Sequence, residues 1–354
     1  MVQLSITEQQ LFFYILTNIN KTSLAITTTD ISYKLRYNSF INVKVEEGGY
    51  RMDMEKFIEL VKEALEKKTG KEVIVHKTVK NNGVTLTGVS LKDEEVNMLP
   101  IIYLDEYLNN WQKYKSIDNI TDIIIEKDNE FRVNKIYDFK YLCDFNEIKD
   151  KIRYKLVNYS ENKKRLQNMP HERFLDLAKV YYVVLELDNG NGTTNIYNKN
   201  MEMWGVTQEL LEKIASENTQ KYLPSQVEDI TNVIKRIVKN LGCEDDYIEE
   251  MLEITKDDKC QCMYVMSNPQ RTYGAAVLCY QDAIRKFAEE KESDLIIIPS
   301  SIHEIILLKG SDKENISELR EMVKEVNNTE LSKDEILSYS IYYYDRNTES
   351  IINL

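Results

Sequence analysis

The last hundred residues constrain the fold most, because strand and helix patterns alternate there in a regular order. Two strands are predicted before each of two helices, and a hairpin closes the chain. Adjacent strands in pairs, separated by helices, favour an α+β layer with helices on one face of an open sheet over a doubly wound nucleotide-binding fold. The strands are predicted at Met263–Met266, Gly274–Leu278, Leu295–Ile298, Glu304–Leu308 and Tyr339–Tyr344, and the helices at Gln281–Glu290 and Ile316–Val326.

Two more hairpins are predicted before that segment. An Asn-Gly pair joins the alternating runs Val73–Val79 and Val84–Leu91, and Asn-Gly is a strong signal for a tight hairpin turn. A run of Asn and Gly joins Tyr181–Leu187 to Thr193–Tyr197 in the same way.

The remaining segments mostly carry helical periodicity. A strand is expected at Ile152–Val157, whereas His171, which follows a proline, is expected to open a helix. The other predicted helices are Met54–Lys68, Glu106–Tyr114, Ile117–Glu126, Ser160–Asn168, Val206–Ala215, Val227–Val238 and Asp245–Leu252.

Together these patterns predict an α+β protein with mixed or antiparallel sheets, helices packed on one face, a helical middle region and a small helical N-terminal extension. The pair Gly48-Gly49 marks the first boundary. The predicted modules are the N-terminal extension (1–51), an α/β module (52–158), a hairpin with the helical middle region (159–258) and a C-terminal α+β module (259–354).

The charge of the chain narrows the classes of partner. The sequence holds 46 basic and 59 acidic residues, a formal net charge of −13. Such a surface repels nucleic-acid phosphates unless a local basic patch is set aside for them. No run approaches the ~20 consecutive apolar residues of a membrane span, and the start lacks the pattern of a secretory signal. We therefore expect a cytoplasmic protein that binds a protein partner and not a membrane.

Residues 1–51 hold the candidate for nucleic-acid binding. An amphipathic helix is predicted at Ile6–Asn20 and a second short helix at Thr29–Leu35, and the pair is compatible with the start of a helix-turn-helix. A small helical extension docked on the rest of the chain fits the same pattern.

The standard motifs of nucleotide-dependent enzymes and of serine and zinc hydrolases are absent from the sequence. The most suggestive polar segment is Pro299–Glu304, which lies between two apolar predicted strands. A tight connection at the end of a buried strand can present a hydroxyl, an imidazole and a carboxylate to one point. Ser300, Ser301, His303 and Glu304 are therefore candidate catalytic residues of a hydrolase or transferase. The same side chains also hydrogen-bond turn backbones, so a purely structural turn is the alternative.

A second set of polar residues is predicted near that segment. Asn268, Arg271 and Tyr273 fall between two strands of the same module and can lie on the same edge as His303. Together with His171 they are candidate ligand-binding residues. Such a cluster suits a carboxylate or phosphate, with Arg supplying a two-pronged donor.

The five cysteines are odd in number and scattered, which indicates reduced thiols of a cytosol rather than a disulfide framework. Cys260 and Cys262 form the tightest pair, but structural zinc sites usually present two such pairs. Buried thiols are the expected outcome, and the sequence predicts neither a metal site nor a cofactor.

Several phrases of the sequence together resemble a family of unknown function from low-GC Gram-positive gut bacteria, often found on conjugative or phage-like elements. The resemblance covers about residues 52–354 and implies a bacterial cytoplasm and a mobile-element setting. The family brings no activity and no catalytic residues to this chain. The phrases are Lys80–Gly88, Pro100–Leu104, Tyr154–Tyr159, Pro170–Ala178, Met203–Val206, Glu217–Thr219, Tyr273–Ala276 and Pro299–Leu308.

Three functions are compatible with these observations. The first is an accessory or regulatory binding protein whose acidic surface meets a protein partner or competes for a nucleic-acid-binding site, as an anti-defence protein does. The second is an enzyme with its site at Pro299–Glu304, and the third is a DNA-binding regulator acting through residues 1–51. The missing catalytic motifs and the negative charge favour the first.

Overall fold

A computed structural model describes most of the chain from residue 52 onward. The N-terminal extension 1–51, the expected helix Asp245–Leu252, three of the cysteines (Cys243, Cys260 and Cys262) and Ser300 lie outside the described residues. The structure divides into two compact units, one of 52–148 with Val184–Thr194 and one of Lys149–Val183 with Asn195–Leu354. The described ranges are 52–114, 116–133, 135–187, 190–240, 263–299, 301–310, 316–329 and 331–354.

The first unit packs helices on a small antiparallel sheet. Helix α1 buries Phe57, Val61 and Leu65, which recur at helical spacing, and ends at Gly70 in the left-handed conformation. The predicted Asn-Gly hairpin is confirmed, with β1 and β2 in register from Val73↔Leu91 onward. The elements are α1 (Met54–Thr69), β1 (Val73–Val79), β2 (Thr85–Leu91), β3 (Ile102–Tyr103), α2 (Asp105–Asn109), α3 (Trp111–Tyr114), α4 (Ile117–Phe131) and α5 (Phe145–Ile148).

The second unit begins with strands in the order β4-β6-β5. Strand β7 pairs with β6 and lies almost wholly within Val184–Thr194, which is part of the first unit. His171 starts strand β5 instead of a helix, so that expectation is wrong. The reason is non-local, because His171 pairs with Val180 of β6. The elements are β4 (Ile152–Asn158), α6 (Lys163–Leu166), β5 (His171–Phe174), β6 (Leu177–Leu187) and β7 (Gly190–Asn195).

A six-stranded antiparallel sheet forms the rest of the second unit, in the order β13-β12-β10-β11-β9-β8. Its centre is apolar, and all four residues of β10 are buried. The predicted closing hairpin is confirmed by the pairing of β12 with β13. The elements are α7 (Asn198–Trp204), α8 (Gln208–Tyr222), β8 (Gln226–Asp229), α9 (Ile230–Asn240), β9 (Met263–Ser267), α10 (Gln281–Glu290), β10 (Leu295–Ile298), β11 (Ile305–Lys309), α11 (Ile316–Thr329), β12 (Tyr342–Asp345) and β13 (Ser350–Asn353).

Two expected elements of this unit differ from the structure. The strand predicted at Gly274–Leu278 is a 3-10 helix, Gly274–Cys279, whose first five residues are buried. The helix predicted from Val227 begins only at Ile230, because the residues before it form edge strand β8 on β9. The α+β class is confirmed. Within the described ranges, no helix is long and apolar enough to cross a membrane.

Candidate functional site

Three loops of the second unit meet at one end of the six-stranded sheet. Strand β9 ends at Ser267 and is antiparallel to β11, whose first residue Ile305 pairs with Met266. The loop that follows β9 and the loop that precedes β11 therefore leave the sheet at the same end of its strands. A third loop joins them through a bridge between Ser301 and Ile336. We refer to residues 268–273, 301–304 and 331–337 together as the loop cluster.

Backbone contacts fix these loops relative to one another. The Ser267 hydroxyl donates a hydrogen bond of 2.7 Å to the His303 carbonyl, and the Ile302 N–H donates one of 3.0 Å to the Glu335 carbonyl. A Cβ atom on Gly274 would lie 2.0 Å from Ser267 Oγ and 2.3 Å from the His303 carbonyl oxygen. This close approach of two backbones requires glycine.

His303 lies at the centre of the loop cluster. Its Nδ1 accepts a hydrogen bond of 3.3 Å from the Tyr273 N–H, and its ring lies nearly parallel to the Tyr273 ring, with 6.1 Å between centroids. Burial lowers the pKa of His303 below its ordinary value. A hydrogen bond with the Arg271 backbone and the charge of Asp334 oppose this effect. The Nε2 atom of His303 lies 3.9 Å from Glu335 Oε1.

Glu335 is a mostly buried carboxylate whose side chain is 19% exposed. Burial raises the pKa of Glu335; a hydrogen bond with Ser332 opposes this rise and the charge of Asp334 adds to it. Its Oε2 atom is buried without a hydrogen-bond partner among the described residues. Buried carboxylate oxygens without a donor are rare in folded proteins.

The amine of Lys155 lies over the Tyr273 ring. Strand β4 carries Lys155, whose Nζ is 4.2 Å from the ring centroid of Tyr273 and 5.5 Å from that of Tyr182. The two tyrosine rings meet edge to face at 5.5 Å. Burial lowers the pKa of Lys155; Tyr273 opposes this effect, whereas the charge of Arg165 adds to it. Among the contacts of Lys155 in the described residues there is no carboxylate.

Arg271 and Glu304 belong to a separate ion-pair group at the edge of the loop cluster. The Arg271 guanidinium hydrogen-bonds Glu228 of β8, and its Nη1 lies 3.7 Å from Glu304 Oε2. Arg236 of α9 donates to the same Glu228 carboxylate at 2.9 Å. Burial raises the pKa of Glu304 to about 7, although Arg271 and Arg236 favour its ionised form. Arg271 thus serves ion pairs within the protein.

Ser301 and Asn268 hold backbone in place. The Ser301 hydroxyl accepts a hydrogen bond of 3.1 Å from the backbone N–H of His303, and the residue is 1% exposed. Asn268, also 1% exposed, donates to the Thr272 carbonyl and accepts from the Gln270 N–H. Both side chains therefore hydrogen-bond loop backbone, which for Ser301 is the role expected in a structural turn.

His171 lies outside the loop cluster. Its Nδ1 is 2.9 Å from the Met169 carbonyl oxygen, and its ring is 6.1 Å from that of Tyr159. In the sheet register His171 pairs with Val180, which also pairs with Lys155, so a whole strand separates the two residues. The structure therefore places His171 on β5, across β6 from Lys155. The other described candidates lie in the loop cluster: Asn268, Arg271, Tyr273, Ser301, His303 and Glu304.

The sequence reasoning missed Lys155 and Glu335. A signal for Lys155 existed, because it lies in the middle of the predicted strand Ile152–Val157, where a lysine is rarely buried without a specific environment. Glu335 lies in a loop that joins the sheet edge only through tertiary contacts, and no local pattern marks it. No group of His, Cys, Asp or Glu within the described ranges is arranged to hold a metal ion.

Comparison with known proteins identifies the family of this chain. No curated protein matches the chain, and no solved structure does. A family model with the description "family of unknown function (DUF5688)" matches residues 54–346, in agreement with the resemblance noted above. The chain belongs to this family.

Proposed function

We propose that this chain is a binding protein whose loop cluster recognises an anionic group, a carboxylate or a phosphate, through Lys155. The observation that carries the proposal is the environment of the amine, which lies over Tyr273 and beside Tyr182 with no carboxylate among its described contacts. A half-buried cation is costly unless an anion meets it. A bound anion supplies that partner.

The surroundings of the amine favour an anionic ligand over a neutral one. Arg165 adds positive potential at Lys155, and the Tyr273 hydroxyl hydrogen-bonds the Lys155 amine. The formal net charge of −13 repels anions from the surface at large. Selection for an anion therefore has to come from a local cationic site of this kind.

Among the described residues, which do not include Ser300, the arrangement around His303 supports binding better than hydrolysis. Its ring Nδ1 accepts from the Tyr273 backbone, and the Ser301 hydroxyl bonds the His303 backbone rather than its ring. A nucleophile activated by histidine needs its hydroxyl or thiol within hydrogen-bond reach of the ring. The protein partner, the mobile-element setting and nucleic-acid binding through residues 1–51 stay predictions.

Calorimetric titration of the full chain with inorganic phosphate and with glutarate near neutral pH tests the proposal. We expect at least one of the two anions to bind, and Lys155→Met to weaken its binding by about tenfold or more. Lys163→Met, an exposed lysine of α6, is the matched control and should change nothing. Equal affinity in Lys155→Met, or no binding of either anion by the unchanged protein, would overturn the proposal.

A further inference from the structure

A polar cavity of about 600 Å³ lies at the end of strands β10 and β11 opposite to the loop cluster. The start of β10, the end of β11 and the turn after β12 line it, and the sheet register brings them together, because Leu295 pairs with both Lys309 and Tyr344. The cavity belongs to the second unit alone. Its volume is within the range of about 300 to 1,000 Å³ that is usual for sites of small organic ligands.

Asp294 joins the elements around this cavity. Its carboxylate accepts hydrogen bonds from the Tyr343 hydroxyl of β12 and from the backbone N–H of Arg346. Its carbonyl accepts one of 2.7 Å from the Gly310 N–H at the end of β11. The walls of the cavity are therefore fixed by the fold, and the Asp294 carboxylate is engaged within the protein.

Tyr344 supplies a polar atom that lacks a partner. The residue is 4% exposed, and its hydroxyl has no hydrogen-bond partner among the described residues. Burial raises the pKa of Tyr344; Glu349 and Glu289 add to this rise, and Arg285 and Arg346 oppose it. All four charged residues line the cavity, so the hydroxyl faces the same space. Buried tyrosine hydroxyls usually have a partner, which a ligand in the cavity can supply.

The charged groups that line the cavity favour a cation. The Arg285 guanidinium is occupied beside its own helix, by Glu289 at 2.8 Å and by Asp282 at 3.0 Å. Glu292 and Glu349 are exposed and have no ion pair within the described ranges. Four carboxylates and two guanidiniums give a formal sum of −2, and they belong to Glu289, Glu292, Asp294, Glu349, Arg285 and Arg346.

We infer that this cavity binds an organic cation whose ammonium or guanidinium group contacts Glu349 and the Tyr344 hydroxyl. Carboxylate and hydroxyl oxygens accept hydrogen bonds, and they match the N–H donors of such a group. Of the charges that act on the Tyr344 hydroxyl, that of Glu349 is the strongest and that of Arg346 the weakest. A free amine and the lysine or arginine side chain of a protein partner present the same group. This site lies apart from Lys155 and goes beyond the proposed function.

Calorimetric titrations of the full chain with 1,4-diaminobutane and with N-acetylargininamide near neutral pH test the inference. We expect at least one of these cations to bind, and Glu349→Gln to weaken its binding by about fivefold or more. Tyr344→Phe, which removes only the hydroxyl, should weaken binding by about threefold. Glu321→Gln, an exposed carboxylate of α11, removes the same charge elsewhere; it is the matched control and should leave the affinity unchanged.

Three results would overturn the inference. The first is that neither cation binds. The second is that Glu349→Gln and Glu321→Gln behave alike, or that Tyr344→Phe binds as tightly as the wild type, because the cation would then respond to the net charge of −13. The third is that glutarate binds and Arg346→Gln abolishes its binding, which would make the cavity an anion site.

The remaining comparison identifies the source of the cation. A higher affinity for 1,4-diaminobutane indicates a free amine, a higher affinity for N-acetylargininamide indicates a protein side chain, and either supports the cation site. The proposed anion site fails on a different result, an equal anion affinity in Lys155→Met and the wild type, so the two proposals are tested independently.

Discussion

Two lysines on neighbouring strands of one sheet have opposite environments. Lys179 of β6 pairs in register with Leu156, and Lys155 of β4 is the next residue along, so the two side chains lie on opposite faces. The Nζ of Lys179 donates hydrogen bonds of 2.6 Å to Glu212 and 3.0 Å to Glu172. Lys155 has aromatic rings in place of these carboxylates.

The pKa directions follow this difference. Burial by itself would lower the pKa of Lys179, but its hydrogen bonds with Glu212 and Glu172 outweigh burial and raise it. The Glu212 carboxylate also accepts from the hydroxyls of Tyr181 at 2.6 Å and Ser216 at 2.8 Å. For Lys155 burial prevails and lowers the pKa. The Lys179 amine has carboxylate partners within the protein, whereas we propose that a bound anion supplies the partner of the Lys155 amine.

The largest effect on stability is expected at Glu304, in the loop cluster. Burial raises its pKa from 4.5 to about 7, so the folded state keeps a proton that the unfolded state loses in this range. Stability from this group is present below about pH 4.5 and is lost as the pH rises through about 7. Glu304→Gln imitates the protonated group. Above about pH 7 its free energy of unfolding should therefore exceed that of the wild type by about 2 to 3 kcal/mol.

Urea denaturation of Glu304→Gln and the wild type at several pH values measures this difference. Glu321→Gln serves as an exposed control and should follow the wild-type profile. A constant difference between Glu304→Gln and the wild type across the pH range would show that Glu304 is ionised throughout.

The next largest effect is expected in the Lys179 group. Glu212→Gln leaves Lys179 with one carboxylate and weakens the hydrogen bonds from Tyr181 and Ser216, so we expect a loss of about 2 kcal/mol in the free energy of unfolding. Denaturant midpoints measure it, and Glu217→Gln, an exposed carboxylate of the same helix, should change the midpoint little. A loss equal to that of the control would mean that this group is no more than a surface ion pair.

Other parts of the fold show where sequence reasoning succeeds and where it fails. The β1–β2 hairpin was predictable because its turn chemistry is local, and the apolar run Leu295–Ile298 was predictable because every residue of it is buried. The 3-10 helix at Gly274 was not predictable, because it depends on the close approach of His303 from a distant part of the chain. Glu335 reaches His303 through the same kind of tertiary contact.

The measurement that tests the central claim most directly compares Lys155→Met with Lys179→Met by urea denaturation near neutral pH, without added anions. Replacing Lys155 removes a desolvated charge, two cation–π contacts and a hydrogen bond with Tyr273. Because the first loss is favourable and offsets the others, we expect the free energy of unfolding to stay within about 0.5 kcal/mol of the wild type or to rise. Replacing Lys179 leaves two carboxylates without their cation, so we expect a loss of about 2 kcal/mol. Equal losses in the two variants would contradict the account, because Lys155 would then be a structural ion like Lys179.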